Sequence, residues 1–108
     1  MPVDPLDTLG VLAGSRLKER GERLVSAESC TGGWVSQVVT SVAGSSEWFE
    51  RGFVTYSNEA KQELIGVRAE TLARHGAVSE ETAREMALGA LAASHGTLAL
   101  AVTGVAGP

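Results

Sequence analysis

The run Leu98-Ala99-Leu100-Ala101-Val102 is apolar at every position, and this constrains the fold more than any other stretch of the chain. A strand with one wet face alternates apolar and polar residues, whereas one without a polar position is expected to be covered on both faces. A helix leads into it. Ser79 is a good N-cap, Glu80 and Glu81 suit the positive end of the helix dipole, and Gly96 marks the stop. The face Ala83, Met86, Ala87, Ala90 and Leu91 is mostly alanine, which lets a helix lie close to a sheet.

The rest of the chain continues the alternation. Leu6, Leu9, Ala13 and Leu17 step by three and four as one helical stripe, opened by Asp4-Pro5 and stopped by Gly21. Arg23 to Ala27 reads as a short strand. Trp34, Val35, Val38, Val39 and Val42 suggest a second helix from Gly33 to near Gly44. Phe53 to Tyr56 predicts another strand, with Ser57-Asn58 as the N-cap of a short helix over Glu59 to Leu64, closed by Gly66. Thr71 to Arg74 forms one more turn, with His75-Gly76 as its exit. Alternating helices and strands predict an α/β fold, a three-layer α/β/α sandwich with a mostly parallel or mixed sheet.

With 108 residues the chain has room for one domain, spanning residues 1–108. A hydrophobic fraction of 44% beside a charged fraction of 20% is that of a globular protein. No apolar run approaches the roughly 20 residues of a membrane span, and the acidic start lacks the basic region of a secretory signal. The single Cys30 excludes an internal disulfide and suits a reducing, cytoplasmic setting. A net charge of −4 with scattered basic residues argues against a nucleic-acid surface. There is no Cys/His cluster and no carboxylate pair at ligand spacing, so neither a metal nor a cofactor is expected.

In open α/β sheets ligands bind beyond the carboxyl ends of the strands. Three stretches fall there: Glu28 to Gly33, Tyr56 to Lys61, and Thr103 to Pro108, all rich in hydroxyls, small residues and glycine. In the first, Ser29 stands just past a strand and before a helix start, whose free N–H groups would favour an anion. Gly32 and Gly33 let backbone approach a ligand. The spacing matches neither a P-loop nor a nucleophile elbow, and an ordinary capped turn would explain the same residues.

A serine needs a base. His75 and His95 both read as helix C-terminal caps, leaving a lysine of lowered pKa or a lysine–tyrosine pair. Lys61 falls in the first turn of its helix, where the dipole and partial burial both disfavour its charge. Tyr56, at the preceding strand end, would relay the proton or hold the serine. Cys30 is a rival nucleophile without a histidine to serve it. Glu28 either orients a partner or faces solvent.

Taken in order, "AESCTGG", "YSNEAK", "GAVSEE" and "TGVAGP" resemble the C-terminal domain of the CinA competence/damage-inducible family over roughly Leu6 to Pro108. Stand-alone members of that family are nicotinamide-nucleotide amidases. The resemblance implies an α/β/α sandwich and hydrolysis of the carboxamide of nicotinamide mononucleotide (NMN) to nicotinate mononucleotide and ammonia, without a metal. By motif, the catalytic residues would be Ser29, Tyr56 and Lys61. Contacts to the small-molecule substrate would come from Cys30, Thr31, Gly32, Gly33, Asn58, Thr103 and Gly104. Self-association into a homo-oligomer is expected, with neither nucleic acid nor membrane as a partner. Family members continue past the TGVAGP stretch, so the chain is expected to be an incomplete copy of the domain, with an open apolar edge at the strand ending in Val102. A second function stands beside the enzyme: a catalytically silent nucleotide- or partner-binding module linked to competence or DNA damage.

Overall fold

The computed structural model describes residues 4–105. Their elements run α1 (Pro5–Glu19), β1 (Leu24–Glu28), α2 (Trp34–Thr40), a 3-10 turn (Ser45–Glu47), β2 (Phe49–Val54), α3 (Asn58–Ile65), α4 (Ala69–His75), α5 (Glu80–Ala92) and β3 (Leu98–Val102). The three strands form one parallel sheet in the order β2-β1-β3. Helices cover both faces, so the expected α/β/α layering is present.

Alternation along β1 assigns the layers. Val25 and Ala27 face Ile65, Val67, Met86 and Ala90, which are the buried contributions of α3, α5 and the turn between α3 and α4. Leu24 faces the other way, into a smaller cluster with Leu17 of α1, Val39 of α2 and Trp48. All five residues of β1 are buried. The strand covered on both faces is therefore β1, and not Leu98–Val102 as its apolar run predicts. Among the described residues β3 is a sheet edge, with Leu98 48% and Leu100 41% exposed. The expectation of an open apolar edge at Val102 describes it better. An open cleft of about 540 Å³ lies between α1 and this edge, with Leu17, Leu98 and Leu100 among its walls.

Two local expectations need correction. Of the expected α1 stripe only Leu17 is buried: Leu6, Leu9 and Ala13 are exposed, and Gly10 and Gly14 join Leu17 on the packing face. A Cβ on Gly14 would stand 2.5 Å from the Trp48 ring, so only glycine lets the indole in. The second strand begins at Phe49 rather than Phe53, running through Glu50-Arg51-Gly52, and ends at Val54. An edge strand tolerates those polar residues because one side of it is wet. The α3 N-cap falls within the expected Ser57-Asn58 pair: it is Ser57, whose Oγ accepts from Ala60 N–H at 3.0 Å. Asp4, Ser79 and Gly66 also cap as their types predict.

Candidate active site

Beyond the carboxyl ends of the strands, the three loops meet. Ser29 and Cys30 from the first, Tyr56, Asn58 and Lys61 from the second, and Thr103 and Gly104 from the third line one cavity of about 270 Å³, joined by Ala77 and Val105. Ala106, Gly107 and Pro108 of the third loop lie outside the described residues.

At the floor, Lys61 Nζ donates to Ser29 Oγ at 3.1 Å and to the Tyr56 carbonyl at 3.1 Å. Ser29 Oγ in turn lies 3.3 Å from that same carbonyl. The contact the structure gives Tyr56 is thus through its main chain. Lys61 is buried because it stands one helical turn before Ile65 on the inward face of α3. Burial holds its pKa below the ordinary lysine value, and the nearby Cys30 partly offsets this. Among the described residues no carboxylate is ion-paired with it. A lysine so placed can lose its proton and accept one from the serine.

The first loop owes its shape to Glu28, 1% exposed at the end of β1. One carboxylate oxygen accepts from Thr31 Oγ1 at 2.6 Å, Val35 N–H at 2.9 Å and Gly33 N–H at 3.2 Å. The other accepts from Ser36 N–H and Ser36 Oγ, both at 3.0 Å. Burial alone would raise the Glu28 pKa, but the bonds from Thr31, Ser36 and Val35 outweigh it and hold the group below its ordinary value. The N–H groups expected to be free at the start of α2 are therefore occupied by a side chain of the same loop. Thr31 and Gly33 serve Glu28, and Gly32 N–H bonds the Ser29 carbonyl at 3.1 Å. None of the three lines the cavity. Composition does not reveal this role of Glu28; the only sequence signal is an acid four residues before a glycine pair and a helix start.

Cys30, Asn58, Thr103 and Gly104 do border the cavity. Thr103 Oγ1 donates to the Ala77 carbonyl at 2.7 Å, which anchors the third loop on the "GAVSEE" segment. Main-chain N–H groups of Cys30, Thr103 and Gly104 have no acceptor among the described residues. The histidines are elsewhere. His75 ends α4 with Nδ1 3.5 Å from Glu81, and His95 N–H bonds Glu50 at 3.0 Å. Among the described residues no group of three His, Cys, Asp or Glu side chains could hold a metal.

Residues 7–108 match the CinA C-terminal domain family. The chain belongs to that family. It is 63% identical over 95 residues to the nicotinamide-nucleotide amidohydrolase PncC of Escherichia coli K12, covering 88% of this chain and 58% of that protein. A CinA-like protein of Chloroherpeton thalassium is 57% identical over 95 residues, 88% of this chain and 23% of that one. Among solved structures, the competence/damage inducible protein CihA of Agrobacterium tumefaciens superimposes with a TM-score of 0.93 at 45% identity, over 100% of this chain and 67% of that one. The competence damage-inducible protein A of Klebsiella pneumoniae gives 0.94 at 43% identity, covering 97% and 65%. This CinA-family chain thus spans less than two thirds of the PncC protein it matches.

Proposed function

We propose that the chain is an amidase that hydrolyses the carboxamide of NMN, giving nicotinate mononucleotide and ammonia. The observation that carries this reading is the buried Lys61–Ser29 pair, Nζ to Oγ 3.1 Å. Its substrate comes from the likeness to a protein named nicotinamide-nucleotide amidohydrolase.

Neutral Lys61 takes the proton of Ser29 as Oγ bonds to the carboxamide carbon. The Tyr56 carbonyl keeps both partners in place. The tetrahedral oxyanion is met by main-chain N–H groups at Cys30 or Thr103-Gly104, since those of α2 are taken by Glu28. Lys61 then returns its proton to the nitrogen, the C–N bond breaks and ammonia leaves an ester on Ser29. Water, deprotonated by Lys61, attacks that ester; the C–Oγ bond breaks, the proton returns to Ser29 and the carboxylate product departs. One water is consumed for each ammonia. Transfer of the nucleophile's proton to a positioned base is commonly worth ~10²–10⁴ in rate.

The test is ammonia release from NMN by this chain, with its Ser29→Ala variant and the E. coli relative run in parallel. Ammonia from the parent and none from Ser29→Ala supports the amidase. If a folded parent binds NMN and releases nothing beside an active relative, the relative's C-terminal segment is appended and the assay repeated: continued silence assigns the binding module, and restored ammonia release keeps the amidase.

A further inference from the structure

Tyr56 gives its main chain and its side chain to different tasks. The carbonyl is tied down by Ser29 and Lys61. On either side, Thr55 N–H bonds the Glu28 carbonyl at 2.7 Å and Ser57 caps α3. The backbone is therefore fixed, yet the residue is 71% exposed. What is exposed is the ring, presented beside the cavity that holds the Ser29–Lys61 pair. Exposing a whole phenol costs hydrophobic burial, and among the described residues no hydrogen bond accounts for its hydroxyl.

The charges around the cavity bear on what the ring would meet. No carboxylate lines it among the described residues. Glu28, the acid nearest in sequence to Ser29, spends its carboxylate on Thr31, Gly33, Val35 and Ser36. A cationic ring entering this cavity would find no anion to pair with, and the aromatic face is the group left to receive it. Planar cations are attracted to such a face within about 6 Å of the ring centre.

We infer that the Tyr56 ring is the specificity platform of the site, stacking on a planar cationic ring while Ser29 addresses that ring's carboxamide. This rests on the amidase reading for its substrate class, a quaternised pyridine carboxamide. The ring acts by its face, so the hydroxyl is dispensable to it and no proton passes through Tyr56. Neutral carboxamides of the same size are selected against because they lack the positive charge that the aromatic face attracts.

The test compares binding of NMN and of its 1,4-dihydro form, which keeps ribose and phosphate but has an uncharged, non-aromatic ring. Both are titrated into the Ser29→Ala chain, alone and combined with Tyr56→Phe or Tyr56→Leu; an exposed ring can be removed without disturbing the core. The cation is expected to bind more tightly than the dihydro form. Tyr56→Leu is expected to erase about three- to thirtyfold of that preference, and Tyr56→Phe to keep it within threefold. Undiminished preference in Tyr56→Leu, or an equal loss in Tyr56→Phe, overturns the inference. A parent that releases no ammonia from NMN, even with the relative's C-terminal segment appended, sinks the amidase reading instead. The platform is then judged on N1-methylnicotinamide against nicotinamide, where the same loss in Tyr56→Leu supports it and an unchanged ratio rejects it.

Discussion

Lys61 Nζ and Ser29 Oγ lie 3.1 Å apart inside the protein, and the carbonyl that organises them belongs to Tyr56. Strand β1 delivers the serine and α3 delivers the lysine, so the pair exists only when the two elements are packed together.

Replacing Lys61 separates chemistry from stability. Lys61→Met is expected to lower kcat by ~10²–10⁴, as loss of a base commonly does. Yet it should melt at or above the parent temperature, because a desolvated amine becomes an apolar chain of similar length. Ammonia release and a thermal melt of one sample read both effects. A variant that melts well below the parent would contradict the placement of Lys61 as a base held against its own desolvation.

The pH dependence follows from the direction of the Lys61 shift. Burial lowers its folded pKa below the ~10.4 of a free lysine, so kcat/KM should rise with pH through that lowered value and then level. Stability moves the same way. Between the lowered value and ~10.4 the unfolded chain binds a proton that the folded chain does not, and stability rises with pH across that window. Below the folded pKa the cost is fully present. Urea titrations at stepped pH should show this slope in the parent and a flatter one in Lys61→Met.

Glu28 has the opposite limb. Its folded pKa lies below its ordinary 4.5, so its stabilisation is complete above the unfolded value and is lost as pH falls through the folded one. Glu28→Gln sets an amide N–H₂ against donors that the carboxylate accepted from, and should cost about 2 kcal/mol or more at neutral pH. Denaturant midpoints at pH 7 check the size. A cost that vanishes at pH 7 would contradict the hydrogen-bonded carboxylate described above.

Gly89 of α5 tests the placement of α3. A Cβ there would fall 1.7 Å from the Ile65 carbonyl oxygen, one turn beyond Lys61. Gly89→Ala must push the helices apart, at about 1–3 kcal/mol, and should lower kcat because the Lys61–Ser29 distance opens. A variant with parent stability and rate would show that α3 and α5 do not approach so closely.

Much of this site was legible in the residues. Ser29, Lys61 and the meeting of three loops followed from strand-end placement and from the want of a usable histidine. The two edge strands misled for opposite reasons. β3 is uniformly apolar although half open, and β2 carries Glu50-Arg51-Gly52, the composition of a turn. In α1 the leucines outvote the glycines by hydrophobicity, but close approach to Trp48 selects Gly14. Glu28 was ambiguous because a carboxylate fully used by its own loop has the same letter as one in water.

Ser29, the proposed nucleophile, directly follows β1, the strand buried along its whole length, and its N–H bonds the Val102 carbonyl of β3 at 3.0 Å. On the amidase proposal, the Ser29–Lys61 pair is therefore not housed in a lid that can fray by itself. Ser29 inherits the cooperativity of the core, and its amide should exchange with solvent about as slowly as those of β1. Activity lost to heat or denaturant should then trace the same curve as global unfolding, with no dead but folded plateau before it.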